Sequence, residues 1–274
     1  MINEFKTYLT CIKGYSQNTS AAYERDLRAF ARYQSMRNPE VRWSTITMAD
    51  VDAFIVAQSS GGKKPSTMCR QLASISSFYK FLKREGYNVE NPVRYESRPK
   101  IAKRMPHTID MQTLMTAWSK TEGELHTIIT ILMTTGVRIQ ECLDITWDDI
   151  KWTDKEIVIH GKGGKDRKVY ICEILYGELC DVARDKKWKI FPSWSQERVR
   201  REMFWVSREF DNLNHYSPHT IRHTYATELA KSGANVAQIA AILGHESYKT
   251  TQKYIDMTNV AAKETAMKYN PLNN

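Results

Sequence analysis

The sequence predicts a mainly α-helical protein of two domains: a bundle of four or so helices, and then an α+β domain with a small antiparallel sheet among helices. Apolar residues recur at helical spacing through residues 1–91, and a basic segment with three prolines interrupts this period at residues 92–106. In residues 107–274, two short β-type runs stand between segments with the helical period. A chain of 274 residues can form two domains that each bury a core.

The helices of the first domain are predicted from their caps and apolar stripes. Tyr23, Leu27 and Phe30 recur at helical spacing, while arginines take another face. Gly86 ends the apolar pattern of the last helix. The predicted helices are Phe5–Ile12, a helix capped by Ser16 or Asn18, a shorter helix opened by Thr47 or Asp50, and a helix that follows Ser66 and runs to Arg84.

In the second domain the hydrophobic period changes twice. A strongly apolar helix precedes two β-type runs, which are separated by GKGGKDR, a segment whose glycines suit a β-turn. Helical periods then resume. The predicted elements are a helix between Asp110 and Gly123, the helix Leu125–Thr135, the strands Glu156–His160 and Lys168–Cys172, and the helices Ile174–Lys186, Glu197–Asn212, Thr220–Ser232, Val236–Leu243, Lys249–Ile255 and Val260–Tyr269.

Positive charge is concentrated in the first domain and the basic segment after it. Residues 1–105 carry 18 Lys and Arg against 9 Asp and Glu, and the remaining residues carry 22 of each, so this region accounts for the whole net charge of +9. A basic domain beside a neutral one favours a polyanionic partner, of which nucleic acid is the foremost candidate. A solvated basic face without a partner is the alternative.

Cysteine usage and hydropathy indicate a cytoplasmic protein. The five cysteines form no CxxC pair, and their odd number does not suit a complete disulfide framework. No apolar run approaches the roughly 20 residues that span a bilayer. The N-terminus lacks the apolar stretch of a signal peptide. We therefore expect a protein of the reducing cytoplasm without a membrane partner.

Six polar side chains interrupt apolar or small-residue segments, where a charge is costly unless it is paired or used. They are Arg138, Lys162, His219, Arg222, His245 and Tyr254. Taken singly, each has an ordinary structural explanation. Arg138 can pair with Glu141, Lys162 can occupy a solvated turn, and Tyr254 can pack in a core.

The segment PHTIRHTYAT places three polar groups in the first turn of one helix, near the positive end of its dipole. These groups, His219, Arg222 and His223, suit an anion. The two histidines also have a spacing that can bind a metal, but Arg222 would repel a cation and no HExxH signature is present. GKGGKDR lacks the GxxxxGK[ST] spacing of a nucleotide-binding loop.

Several sequence motifs that occur in a fixed order and at fixed spacing indicate a function more specifically than any single residue does. The segments GVRIQE, GKGGKDRKV, PHTIRHTYAT, LGHES and TTQKY resemble, in order and spacing, the catalytic boxes of the tyrosine recombinase (phage integrase) family, and most closely those of Xer-like simple recombinases. The similarity covers the whole chain, with small departures at Ile139, Gln140 and Ile221. It implies that the catalytic residues are Arg138, Lys162, His219, Arg222, His245 and Tyr254, supported by Glu141 and His223.

The resemblance also implies the domains and the partners. It implies a SAM-like core-binding bundle at residues 1–91, an interdomain linker at 92–106 and a catalytic domain at 107–274. The expected partner is double-stranded DNA with inverted-repeat core sites, bound by a monomer or dimer and, after synapsis, by a homotetramer, with accessory proteins as further candidates. The last predicted helix can dock on a neighbouring protomer or on its own domain. The candidate DNA-binding residues are Arg70, Lys80, Lys100, Lys103 and Arg104.

The implied function is site-specific recombination through a 3′-phosphotyrosyl intermediate, with integration, excision, inversion or dimer resolution as outcomes. No cofactor, metal or ATP is expected, because the tyrosyl bond retains the phosphodiester energy. A DNA-relaxing type IB topoisomerase and a non-catalytic DNA-binding regulator are the alternatives. The implied roles are Tyr254 as nucleophile, Arg138 and Arg222 as phosphate ligands, His219 as base, Lys162 as general acid and His245 as a further hydrogen-bond donor.

Overall fold

The chain divides into two compact units, Met1–Lys103 and Arg104–Asn274. A computed structural model describes residues 1–94, 98–100, 106–161, 164–182, 189–210, 213, 215–245 and 248–258. Lys103 and Arg104 from the predicted linker, Lys162, and the predicted helix Val260–Tyr269 lie outside the described residues. Among the described residues, no helix is both long and apolar enough to cross a membrane.

The first unit is a helical bundle, as the sequence predicts. Its elements are α1 (Ile2–Thr7), a π-helical turn (Tyr8–Ile12), α2 (Gln17–Arg37), a 3₁₀ turn (Trp43–Thr45), α3 (Met48–Ser60) and α4 (Pro65–Arg84). The Ser16 side chain accepts a hydrogen bond from the Thr19 backbone and caps α2. The last helix begins at Pro65, ahead of the predicted start after Ser66, because Pro65 takes the first helical position, where its missing N–H costs nothing.

Aromatic rings build the core of the first unit. Phe78 of α4 lies at the centre, with ring centroids 5.4 Å from Phe5 and 4.8 Å from Trp43. Phe30 of α2 and Phe54 of α3 pack edge to face at 5.1 Å. Such offset ring pairs contribute about 1 kcal/mol each beyond the area that they bury. The core of this unit therefore depends on ring packing between α2, α3 and α4.

The second unit combines helices with a three-stranded antiparallel sheet. Its helices are α5 (Met111–Trp118), α6 (Gly123–Thr135), α7 (Ile139–Asp144), α8 (Glu173–Asp181), α9 (Gln196–Ser207), α10 (Pro218–Lys231), α11 (Val236–Leu243) and α12 (Tyr248–Thr258). Its strands are β1 (Ile150–Lys151), β2 (Glu156–Ile159) and β3 (Arg167–Tyr170), in the order β1-β2-β3. The predicted fold class is confirmed.

Three short elements of the second unit were not predicted, namely a 3₁₀ turn (Trp147–Asp149), β1 and α7. Strand β1 has only two residues and α7 only six, which is too short to show a hydrophobic period. Ile157 of β2 pairs with Val169 of β3, and both face the core. Helix α10 packs against α6, α11 and α12. These contacts bring α10 next to α12, where Tyr254 lies.

Candidate active site

Tyr254 is buried within the second unit, and its hydroxyl contacts a histidine. The side chain on α12 is 1% exposed, and its oxygen lies 2.6 Å from Nδ1 of His223 on α10. Burial lowers the pKa of His223 to about 3, with further lowering by neighbouring positive groups. Burial also raises the pKa of Tyr254. At neutral pH the phenol therefore donates its hydrogen to the neutral imidazole.

Arg222 is held by two backbone carbonyls. Its side chain is buried, and it donates from Nη1 to the Gly136 oxygen at 2.6 Å and from Nη2 to the Leu243 oxygen at 2.8 Å. Burial lowers the pKa of Arg222 to about 10, and the nearby Arg138 adds to this effect. The group remains charged at neutral pH and keeps further N–H donors for an anion.

Gly136 is a position that only glycine can occupy without strain. It has φ of +62°, and a Cβ atom there would lie 2.3 Å from Cδ1 of Tyr225. The residue ends α6 in the left-handed conformation and turns the chain towards α7. This turn presents the Gly136 carbonyl to Arg222 and leads to Arg138 two residues later.

Arg138 stands at the N-terminus of α7 and is anchored through Glu141. Its backbone N–H donates to Oε2 of Glu141 and its Nη1 donates to Oε1, both at 2.8 Å. Its Nη2 donates to the Gly244 carbonyl at 3.3 Å. The side chain is 48% exposed. The guanidinium is therefore oriented by protein groups while part of it faces solvent.

Glu141 has a second arginine partner, which the sequence pattern does not indicate. Arg167 of β3 donates from Nη1 to Oε1 at 3.1 Å and from Nη2 to Oε2 at 2.7 Å, and from Nε to the Ile242 carbonyl at 3.1 Å. Burial opposes ionisation of Glu141, but the hydrogen bonds from Arg167 and Arg138 outweigh it and lower the pKa to about 2. Arg167 lies in the quoted box GKGGKDRKV, but nothing in that pattern shows where its side chain points.

The end of α11 supplies three consecutive carbonyls to three different arginines. The carbonyl of Ile242 accepts from Arg167, that of Leu243 from Arg222 and that of Gly244 from Arg138. The last carbonyls of a helix have no partner within the helix and carry the negative end of its dipole. The helix terminus therefore stabilises a cluster of positive charges.

His245 and His219 complete the polar groups near Tyr254. The ring of His245 is nearly parallel to that of Tyr254 at a centroid distance of 6.4 Å, and its Nδ1 lies 2.8 Å from Oγ1 of Thr251. The ring of His219 lies 4.1 Å from that of His223. Partial burial and the neighbouring arginines lower the pKa of His245 to about 4, and partial burial with nearby cations also lowers the pKa of His219.

Lys253 is a second residue that sequence reasoning missed. Its Nζ lies 5.0 Å from the centroid of the Tyr254 ring, a distance at which a cation is attracted to the ring face. Partial burial lowers the pKa of Lys253, and the charge of Arg222 contributes. The position next to Tyr254 in TTQKY was its only sequence signal.

The structure thus brings most of the predicted catalytic residues into one region. The positive charges of Arg222 and Arg138 both lower the pKa values of His219 and His245 and partly offset the rise for Tyr254, so all three groups lie within the field of the two guanidinium groups. A cluster of fixed guanidinium groups beside neutral histidines and a phenol suits an anion such as a phosphodiester.

Comparison with known proteins identifies the family. Residues 107–260, more than half of the chain, match the family model described as the phage integrase family. The chain belongs to the phage integrase family. Residues 2–86 match the N-terminal SAM-like domain of phage integrases. The predicted family and the SAM-like helical domain are therefore confirmed.

Relatives and solved structures agree with this assignment. The chain is 30% identical to a tyrosine recombinase XerC of Listeria monocytogenes, over 98% of this chain and 96% of the relative, and 27% identical to a tyrosine recombinase XerD of Oceanobacillus iheyensis, over 98% of both. It shares the fold of the Tn1549 transposon integrase in complex with transposon right end DNA, at a TM-score of 0.73 and 17% identity over 97% and 99% of the two chains. The XerH recombinase bound to a palindromic difH substrate gives a TM-score of 0.72 at 17% identity, over 97% and 84%.

The family assignment also confirms the predicted enzyme class. Members of the phage integrase family transfer DNA strands, and the relatives named here are tyrosine recombinases. The chain is therefore a tyrosine recombinase family enzyme of site-specific DNA recombination.

Proposed function

We propose that this tyrosine recombinase cleaves and rejoins DNA through a covalent 3′-phosphotyrosyl bond at Tyr254. The supporting observation is the Tyr254 hydroxyl, which lies beside neutral histidines and within the field of Arg138 and Arg222. A phenol in such a position can attack a phosphate whose negative charge the arginines neutralise.

Arg138 and Arg222 are the proposed phosphate ligands. Each has N–H donors beyond those used for carbonyls or Glu141, and a planar fork of donors fits the two non-bridging oxygens. Their orientation is set in advance by backbone and carboxylate contacts, so little reorganisation is needed as charge develops in the transition state. His245 would add a hydrogen bond to the same phosphate.

The attack requires that Tyr254 lose its proton as its oxygen bonds to phosphorus. The sequence favours His219 as the base, and the hydrogen bond makes His223 a second candidate. Both are neutral at pH 7 because their pKa values are lowered, so either has a free nitrogen to accept the proton. Because the phenol is buried, we propose that this conformation shelters the nucleophile until DNA binds.

The bond between phosphorus and the 5′-oxygen breaks as the tyrosyl bond forms, and the leaving oxygen needs a proton. Lys162, between β2 and β3 in sequence, is the proposed donor. Rejoining reverses these steps: a 5′-hydroxyl attacks the phosphotyrosyl phosphorus and the phenol leaves. Bond energy is conserved throughout, so the proposed cycle consumes no ATP and needs no metal.

The proposed partner is double-stranded DNA that carries inverted-repeat core sites. The solved relatives include a transposon integrase and a recombinase in complex with DNA, which supports this partner. We extend the proposal to a homotetramer on two synapsed sites. The excess positive charge of residues 1–105 supports contacts between the first unit and the phosphate backbone of DNA. Lys80 and Lys100 are exposed and are candidates for these contacts.

Covalent capture tests the proposed reaction and identifies the target sequence in the same experiment. The full chain is incubated with a randomised library of nicked DNA duplexes, in which the short fragment beyond the cleaved bond diffuses away and traps the intermediate. Protein-bound DNA is recovered after SDS denaturation and sequenced, and the modified peptide is mapped by mass spectrometry. We expect one enriched sequence that corresponds to one arm of an inverted repeat. We also expect the 3′-phosphate of the DNA to be bonded to Tyr254. Attachment to another residue would overturn the proposal.

A further inference from the structure

We propose that Arg167 is a positioning residue of the active site, which fixes the guanidinium of Arg138 by holding Glu141 between the two arginines. The inference rests on the proposed function, in which Arg138 binds the reacting phosphate. It adds a residue to that machinery and assigns it a role that does not include contact with DNA.

The carboxylate of Glu141 is shared evenly. Oε1 accepts from Nη1 of Arg138 at 2.8 Å and from Nη1 of Arg167 at 3.1 Å. Oε2 accepts from the Arg138 backbone at 2.8 Å and from Nη2 of Arg167 at 2.7 Å. Four hydrogen bonds leave the carboxylate little freedom to rotate. The plane of Glu141, and with it the direction of Arg138, is therefore set by Arg167.

Arg167 is itself firmly held and lies below the surface. Its side chain is 11% exposed, as is that of Glu141, against 48% for Arg138. Its Nε donates to the Ile242 carbonyl, and a Cβ atom on Gly244 would lie 2.9 Å from its Nη1, so the backbone packs directly on the guanidinium. All three guanidinium nitrogens are thus engaged with protein acceptors. Arg138 rather than Arg167 is placed to reach a phosphate.

This geometry predicts a specific defect. Without Arg167, Glu141 is held only by its two hydrogen bonds to Arg138 itself, so the carboxylate and the Arg138 guanidinium can shift together and the guanidinium loses its fixed direction. A misdirected guanidinium neutralises the transition state less well, while the DNA-binding surface is unchanged. The rate of cleavage should therefore fall while the affinity for DNA stays the same.

The test compares two substrates in single-turnover cleavage. The half-site recovered by covalent capture is made with a normal phosphodiester and, separately, with a methyl group in place of one non-bridging oxygen of the scissile phosphate, as both diastereomers. The methyl group removes the charge that Arg138 neutralises. For Arg167→Gln we expect a loss of about 100-fold on the phosphodiester, the scale seen when one transition-state donor is removed, and a much smaller loss on the neutral substrate. Affinity should be unchanged.

Two further variants make the result decisive. Arg167→Lys keeps the positive charge but cannot form the pair of parallel hydrogen bonds to Glu141. It should also lose more rate on the phosphodiester than on the neutral substrate, but less than Arg167→Gln does. It replaces Arg167→Gln if that variant fails to fold. Arg201→Gln on α9, an exposed arginine next to Glu202, is the matched control and should cleave both substrates at the wild-type rate. Equal losses on both substrates, or none, would overturn the inference. Absence of a Tyr254-dependent covalent complex in the wild type would instead overturn the proposed function.

Discussion

The two units bury polar groups in different ways. Among the described residues of the first unit, the buried charged residue is Asp26, which pairs with Arg70; the other buried polar side chains are uncharged, such as Gln34 and Gln71, and the hydrophobic core is made of rings and aliphatic chains. In the second unit, Arg222 and His223 are buried next to Tyr254, and their partners are backbone carbonyls and a phenol. In the part of the chain that the structure describes, the buried charged group of the first unit thus forms an ion pair, whereas the buried arginine and histidine of the second unit lie at the proposed site of chemistry.

The charge distribution shows the same division. The excess of positive charge lies in residues 1–105, while all seven histidines lie in the second unit, from His107 onwards. A fixed positive surface attracts a polyanion, and neutral histidines can accept protons near neutral pH. If this division is functional, changes in the second unit should alter rates, and changes in the first should alter affinity.

Tyr254→Phe should have the largest effect on the cleavage rate. A normal rate would contradict the assignment of the chemical step to this site of the second unit. The change removes only the attacking oxygen, so covalent complex should fall below detection while affinity for the captured half-site remains. Loss of the hydrogen bond to His223 should lower the free energy of unfolding by about 1 kcal/mol. SDS-resistant complex and a binding titration measure the two quantities. Normal strand exchange by this variant would falsify the nucleophile assignment.

Lys162→Ala should lower the cleavage rate by about 1000-fold, within the range of general acid catalysis. A substrate with a 5′-phosphorothiolate at the scissile bond should restore the rate, because sulfur leaves without a proton. The wild-type enzyme on both substrates is the control. If the thiolate gave no rescue, the proton donor would have to be another residue.

Arg222→Ala should cost at least about 3 kcal/mol of barrier, the scale of a lost transition-state hydrogen bond. Part of any loss in stability will come from the Gly136 and Leu243 carbonyls, which lose their donor. Thermal unfolding of the variant should therefore be measured together with its single-turnover cleavage rate. A folded variant that cleaves at a near-normal rate would show that Arg222 is a structural arginine only.

The parts of this site that depend on neighbouring residues in the sequence could be predicted from it. Helix α11 has its predicted bounds, and local groups fix both ends: Asn235 and Gln238 form a capping box, and Gly244 supplies the left-handed end. The roles of the Ile242 and Leu243 carbonyls were not readable, since a backbone acceptor has no side-chain signature. Sequence could name Arg138 and Glu141 as a pair, but Arg167 reaches them only through the fold of β3.

The two histidines on α10 show a second limit. His219 and His223 are one turn apart on the same helix, so their spacing alone does not decide which contacts Tyr254. That choice depends on how α12 packs against α10, a tertiary contact. The resemblance identified the polar groups, and the packing of helices assigned their partners.

Acidification should destabilise the second unit selectively. The pKa of His223 is lowered from 6.5 to about 3, so the unfolded chain binds more protons in this window and stability is lost as pH falls below 6.5. From about pH 7 to pH 5, His223 should cost on the order of 1 to 2 kcal/mol, and His245 acts in the same direction. The first unit has no histidine.

The measurement is amide hydrogen exchange of the full chain as a function of pH, corrected for the intrinsic exchange rate of the amides. The first unit and a His160 variant serve as two controls. Amides of α10 and α12 should lose protection, and those of α2 and α4 should not. His160, whose pKa is raised by hydrogen bonds to Asp149 and Asp166, opposes the loss, so His160→Asn should make it larger. Equal loss of protection in both units would remove the proposed distinction between them.

The smallest expected effect tests the first unit. Lys80 is exposed on α4, and Lys80→Ala should weaken DNA binding slightly and lower the slope of log affinity against log salt by about one, as for one phosphate contact. Arg70 is a poorer test, because its removal leaves the buried carboxylate of Asp26 unpaired and destabilises the bundle. The cleavage rate at saturating protein should not change. An unchanged salt slope would show that Lys80 lies on a solvated face, and an altered cleavage rate would show that this unit contributes to the chemical step.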